Sequence, residues 1–289
     1  MKIDFDIDIL RAVIAATDLG SFARAGIHLG RTQSAISMQL KKLEQQTGTQ
    51  LFVRKGRKLV PNEAGEELIA YARRIVALND EAALKVGAEV SSAVVRLGLP
   101  QDFFNDIIPV VLSEFSKRHP DVNVEIRAGL NHTLQTEIRA GRLDVVLSFC
   151  EDHLTYDGEL LGKLPMKWLA HQDYTANIFS DSVPLVLFDH PCLFRKAALS
   201  SLEKNERRWR ASVTTPNLLF VWSALRSGLG IGVRTEYGLP EDIHCLDPKL
   251  NGLPILPSLA VRLLRSDSVT EATENLHLIL RGQAIKLLK

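Results

Sequence analysis

The spacing of the apolar residues changes character near residue 93, and that change divides the chain into two structural classes. Upstream, Ile7, Leu10, Val13 and Ile14 recur at three and four, which predicts an amphipathic helix with Asp6 as its N-cap. Leu19-Gly20-Ser21 breaks it. Ser21 opens a second helix through about Leu29, with Phe22, Ala25, Gly26 and Leu29 turned inward. Gly30 ends that helix, and Thr32 caps a third that runs to about Thr47, before Gly48. A short helix, a turn and a longer helix make a helix-turn-helix. The run Leu51–Val60, apolar at both ends and broken by Gly56, reads as a β-hairpin. Asn62 then caps a long helix. Its residues Ala64, Leu68, Tyr71, Ile75, Leu78 and Ala82 alternate four and three, a heptad seam suited to helix pairing or to packing on its own domain.

Downstream, short β runs alternate with helices. Val94–Leu99, Val122–Ile126 and Leu143–Leu147 read as strands, with helices to about His119 and from Leu134 to Ala140 between them. This βαβ alternation predicts a doubly wound α/β unit. Ligands in such sheets sit at the C-terminal strand ends, which here are loops beginning at Pro100, Gly129 and Ser148. A second unit spans about 164–261 and includes strands Leu185–Phe188 and Ala211–Thr214. Leu259–Leu264 returns the chain to the first unit.

The net charge of +1 conceals an uneven distribution. Between Gly20 and Val60 stand eight bases and one acid, Glu44; that block carries +7 and the remainder −6. A basic block on a mildly acidic chain is the footprint of a polyanion-binding module, although a solvated surface has the same composition. Within the third helix Ile36, Leu40 and Leu43 share the inward stripe. Ser34, Met38, Lys41 and Gln45 lie opposite, Ser37 is on the flank, and Gln33 is at the N-terminal end. Small hydroxyls, amides and one lysine make no core. They can present donors and acceptors to base edges in a major groove, and Met38 can touch a thymine methyl. The bases of the hairpin, Arg54 and Arg57 among them, would meet phosphates or a minor groove.

Three segments together carry a resemblance to a known family: Ser21-Phe22-Ala23-Arg24-Ala25, then Arg31-Thr32-Gln33-Ser34-Ala35-Ile36-Ser37-Met38-Gln39-Leu40-Lys41-Lys42-Leu43-Glu44, then Leu51-Phe52-Val53-Arg54. This resembles the winged helix-turn-helix signature of LysR-type transcriptional regulators, dense over about residues 5–66. Gly26 stands where the family usually has alanine, at a helix-propensity cost of ~1 kcal/mol. Asn62 stands where it usually has threonine, another capping residue. The resemblance implies DNA contacts from Ser21, Arg31, Thr32, Gln33, Ser34, Ser37, Met38, Lys41, Arg54 and Arg57.

It further implies an α/β architecture: an N-terminal winged helix-turn-helix with a long dimerisation linker helix, then a two-lobed periplasmic-binding-protein-like α/β effector domain. The expected boundaries are 1–62, 63–91 and 92–289. Lobe I covers about 92–163 and 262–289, and lobe II about 164–261. Arg96–Pro100, Cys192–Leu199, Trp209-Arg210 and Gly228-Leu229-Gly230 look like the branch of regulators of motility, virulence and exoenzymes. By carry-over the cleft is lined by Pro100, Gln101, Asp102, Asn131 (many relatives have serine), Ser148, Phe149, Thr214 and Thr215, though Asn and Ser also favour loops for turn chemistry alone. Arg195 could clamp a carboxylate or form a structural ion pair. Cys192 could be a redox sensor or a small buried hydrophobe.

Other chemistries find little support. Gly228-Leu229-Gly230-Ile231-Gly232 would need its third fingerprint glycine at Val233, so close backbone packing or a cleft turn is the better reading. The eight histidines are dispersed, without helical zinc spacing, and no catalytic set or cofactor motif stands out. Apolar runs such as Leu218–Val221 are far short of the ~20 residues a membrane helix needs. The N-terminus lacks an export-signal core, and three widely spaced cysteines fit a reducing cytoplasm. The competing readings are a solute-binding protein, which shares the cleft, and an α/β enzyme using Cys192. The expected partners are double-stranded promoter DNA, a second copy or pair of copies of the chain, a small-molecule effector and RNA polymerase.

Overall fold

The computed structural model describes residues 4–55, 58–86, 94–151, 157–174, 182–267 and 270–288. The N-terminal head consists of α1 (Ile7–Asp18), α2 (Phe22–His28), α3 (Gln33–Thr47) and an antiparallel hairpin of β1 (Phe52–Lys55) and β2 (Lys58–Pro61). It is followed by α4 (Glu63–Lys85). Each helix starts where a short polar side chain takes up a free amide. Asp6 accepts from the amide of Asp8, Ser21 from Arg24, Thr32 from Ala35 and Asn62 from Gly65. Gly48, at φ +66°, ends α3. Ile9, Leu10 and Val13 of α1 pack with Leu40, Leu43, Leu51 and Phe52, and α4 closes this core with Ile69 and Ala72.

The heptad stripe of α4 is divided. Ala64, Leu68 and Ile75 pack half-buried on the head, whereas Tyr71 and Leu78 are 51% and 54% exposed and Ala82 is exposed. The residues α4 buries most deeply, Ile69 and Ala72, lie beside the stripe rather than on it, because α1 approaches from that flank.

Five strands form lobe I: β3 (Val94–Leu99), β4 (Asn123–Ala128), β5 (Val145–Glu151), β6 (Glu159–Pro165) and the late β12 (Ser258–Arg265). Their order is β4-β3-β5-β12-β6. β3, β4 and β5 are parallel, and β12 runs antiparallel between β5 and β6. A 3-10 turn (Gln101–Phe103), α5 (Ile108–Arg118), α6 (Asn131–Arg139) and α9 (Glu271–Leu287) complete it. Lobe II holds β7 (Lys167–His171), β8 (Val183–Phe188), α7 (Leu193–Lys204), β9 (Trp209–Thr215), α8 (Leu218–Arg226), β10 (Gly232–Arg234) and β11 (Ile243–Cys245). The parallel pair β8–β9 meets the antiparallel set β10-β7-β11 through a bridge between Leu185 and Ile231. The lobe II order is therefore β9-β8-β10-β7-β11, the same plan as lobe I.

The chain crosses between lobes at Met166 and at Pro257, not at 164 and 261. β6 and β12 stay paired to their ends at Pro165 and Ser258, and the two crossings are tied by a 3.1 Å bond from the Met166 amide to the Pro257 carbonyl. β5 starts at Val145 and runs to Glu151, later than the expected 143–147. Ser148 is accordingly inside a strand and does not open a loop.

Gly65 is where α4 passes over the hairpin base. A Cβ there would lie 2.1 Å from the Leu51 carbonyl oxygen. Gly65→Ala is expected to destabilise the chain by about 1–3 kcal/mol through overpacking, despite alanine's higher helix propensity. Urea unfolding would check this: an unchanged or raised midpoint would contradict it.

Candidate DNA-reading face and effector cleft

The outer side of α3 is open along its length. Arg31, Thr32, Gln33, Ser34, Ser37, Met38 and Lys41 are all exposed, Met38 by 70%, while Ile36, Leu40 and Leu43 are buried. Ser21 is half-buried at the cap of α2, and its hydroxyl retains a proton to donate. Arg31 bonds Asp8 at 2.7 Å, so its charge is partly matched within the head. Arg54 belongs to β1, but its side chain, like the whole of Arg57, lies outside the described residues. Glu44, the one acid of the basic block, accepts the amides of Leu51 and Phe52 at 2.8 and 3.2 Å.

A cleft of about 560 Å³ opens between the lobes. Of the residues expected there, Pro100, Gln101, Asp102, Asn131, Phe149, Cys192 and Arg195 line it. Ser148, Thr214 and Thr215 do not. Ser148 is fully buried on β5, where its hydroxyl bonds Asn131 and the Phe149 carbonyl. Thr215 is buried at the end of β9, its hydroxyl accepting the Asn217 amide, and Thr214 is exposed; Pro216, the next residue, is the one that reaches the cleft.

Asn131 has a definite task. β5 extends beyond its pairing with β3 at Gly98, which leaves the Phe149 amide without a ladder partner on that side. Asn131 Oδ1 accepts that amide at 2.8 Å and the Ser148 hydroxyl at 3.3 Å. Arg195 donates to the Phe188 carbonyl at 3.3 Å, a contact with backbone and not the ion pair that one of its two readings expected. Cys192 is the N-cap residue of α7, half-exposed and unbonded to another cysteine. Cys150 lies behind the cleft wall, and burial raises its thiol pKa.

Among the described residues four side-chain polar contacts cross from lobe to lobe, one of them the Asp106 carboxylate accepting the Gly238 amide at 3.0 Å. Gln101 Oε1 accepts the Leu218 amide at the start of α8 at 3.1 Å, and Lys196 meets Glu151 at 2.5 Å. Asp102 Oδ2 stands 3.6 Å from Arg234 Nη1, with both side chains nearly buried. Arg234 lies over the rings of Phe188 and Phe194, at 4.6 and 4.7 Å. The sequence reading missed Arg234, Phe188 and Phe194. The available signal was an arginine directly after the apolar stretch Ile231-Gly232-Val233. The preceding glycines serve close packing: a Cβ at Gly230 would sit 2.5 Å from the Pro184 carbonyl oxygen. Among the described residues no group of three His, Cys, Asp or Glu is placed to hold a metal ion, and no helix is long and apolar enough to cross a membrane.

The family models agree with both parts. Residues 7–66 match "Bacterial regulatory helix-turn-helix protein, lysR family", and residues 88–275 match "LysR substrate binding domain". The chain belongs to the LysR family of transcriptional regulators. Among curated LysR-type relatives, the HTH-type transcriptional regulator PecT of Dickeya dadantii is 31% identical over 91% of this chain and 83% of its own length. DgdR of Burkholderia cepacia is 30% identical over 89% and 87%. The fold is shared with ArgP from Mycobacterium tuberculosis (TM-score 0.75, 20% identity, 97% and 98% of the two chains). It is also shared with full-length LysG from Corynebacterium glutamicum (0.69, 20%, 98% and 99%), a structure described as having bound effector Arg.

For this LysR-type chain the Asn131 geometry gives a direct expectation. Asn131→Ala strands the Phe149 amide and should cost about 1–3 kcal/mol, read as a lower urea midpoint. An unchanged midpoint would show that water replaces the side chain without loss.

Proposed function

We propose that the exposed face of α3 reads promoter DNA through Gln33, Ser34, Ser37, Met38 and Lys41. Arg31, Thr32, Ser21, Arg54 and Arg57 hold phosphates around it. The observation that carries this reading is an exposed helix face of amides, hydroxyls and a lysine, in a block whose one acid is engaged with backbone amides. The exposed part of the α4 stripe, Tyr71, Leu78 and Ala82, would pair with a second copy, so that two heads meet two half-sites. The dimer, or a dimer of dimers, works in the cytoplasm and controls access of RNA polymerase.

In this reading a small molecule between the lobes changes their angle. α6 offers a path to the head. Asn131, His132 and Gln135 at its start line the cleft, while Gly141 and Arg142 just beyond its end face α4. Arg142 bonds Glu66 of α4 at 3.1 Å.

Footprints and salt-dependent binding of point variants test the division of labour. Gln33→Ala should lose about 1–3 kcal/mol at the cognate site and relax specificity there. Arg54→Ala should weaken all sequences alike and reduce the salt slope by about one. If both variants behave the same way, reading and anchoring are not separate tasks. A footprint unchanged by every small molecule that binds the cleft would remove the effector half of the proposal.

A further inference from the structure

The cleft contains two buried, oppositely charged groups that do not satisfy each other. Asp102 is 5% exposed, and its Oδ1 has no hydrogen-bond partner among the described residues. Its Oδ2 lies 3.6 Å from Arg234 Nη1, too far for a hydrogen bond. Arg234 is 7% exposed and held flat by Phe188 and Phe194, and its guanidinium makes no hydrogen bond among the described residues. Burying a carboxylate oxygen without a hydrogen bond is costly, and a ligand that supplies one recovers that cost on binding.

The remaining charges of the cleft are otherwise placed. Lys196 is engaged with Glu151 across the cleft, and Arg195 is turned to a backbone carbonyl. Glu203, His132, His190 and the Cys192 thiol complete the ionisable lining. The starts of α6 and α7 also open here, one from each lobe. Their N-cap residues, Leu130 and Cys192, make no side-chain capping bond, so free amides face the same space.

Resting on the effector reading above, we propose that the ligand of this cleft is an amino acid or closely similar amino-carboxylate. Its ammonium group donates to Asp102 Oδ1. Its carboxylate accepts from Arg234 and from the amides at the starts of α6 and α7. Because 3.6 Å leaves no space for a group between them, Asp102 and Arg234 must part as the zwitterion binds and gives each member a hydrogen-bond partner. Because Asp102 belongs to lobe I and Arg234 to lobe II, one small molecule holds both lobes.

The test titrates the full-length protein calorimetrically with each of the common L-amino acids. The tightest binder is then compared with its desamino acid and its decarboxylated amine. Both analogues should bind at least about tenfold more weakly. In Asp102→Asn the preference for the amino acid over its desamino acid should fall to within about twofold, because the amine has lost its charged acceptor. Arg234→Lys, which keeps the charge but not the fork of donors, should weaken the amino acid and the desamino acid together. These are ratios within one protein, so a less stable variant still reports, and retained DNA binding shows that it is folded.

The proposal is overturned if no amino acid binds, if the desamino acid binds as tightly, or if the preference survives in Asp102→Asn. An amine-free carboxylate that fills the cleft and shifts the footprint would end this proposal while leaving the effector reading intact.

Discussion

The linker helix is tied to the head at Arg73. This arginine of α4 is nearly buried and engages the Asp18 carboxylate of α1 with both terminal nitrogens. A buried guanidinium must keep such a partner, so the pair fixes α4 against the head. The other side of α4 meets lobe I at close range. A Cβ on Gly141, whose φ is +65°, would stand 3.3 Å from Ala70 Cα and 3.5 Å from Arg73 Cδ. Arg142, the next residue, bonds Glu66 of α4 and Glu137 of α6 at 3.1 and 3.0 Å. One helix is therefore a wall of two domains, and the orientation of the head depends on contacts that lobe I makes with α4.

The two lobes are joined differently. Side by side, the crossings at Met166 and Pro257 make a narrow strap, and the polar contacts across the cleft are few. An aromatic stack runs beneath them: Phe103 and Phe149 of lobe I lie 4.9 Å apart, and Phe149 meets Phe194 of lobe II edge-on at 5.6 Å. Burial of these rings holds the lobes at the floor of the cleft. Of the polar contacts beside them, the Lys196–Glu151 pair has an exposed lysine and exchanges with water at small net cost, whereas Asp102 and Arg234 are nearly buried.

Legibility followed the range of the interactions. The head was readable because its signals are local: caps three residues from their amides, apolar spacing of three and four, glycines at the ends. The strands β3, β4, β5, β8, β9 and β12 were readable for the same reason, whereas β6, β7, β10 and β11 were not. Sites made by distant segments were not. Ser148 looked like a loop residue because nothing near it shows that β5 continues to Glu151 along β12, more than a hundred residues later. Arg234 joined Asp102 only through the packing of two lobes. Gly26 is the instructive reversal. Propensity marks it as a weak point in α2, yet a Cβ there would lie 2.6 Å from the Arg31 carbonyl oxygen, in the turn that leads to α3. Its cost in helix propensity accompanies a close approach of the turn that a side chain would obstruct.

Charge counting needed the same correction. In the sequence, Glu44 subtracts one from a run of eight bases. In the fold, its carboxylate accepts two amides where the chain turns from α3 into the hairpin, and so fixes the start of β1 relative to α3. A carboxylate oxygen with two backbone donors is a strong local anchor. An alanine there would make the block more basic and would also release the hairpin from α3. An increase in formal charge would then be accompanied by a loss of placement, and placement is what lets phosphate contacts act in register with base contacts. The basic block is useful because its one acid is inside the structure that aims it.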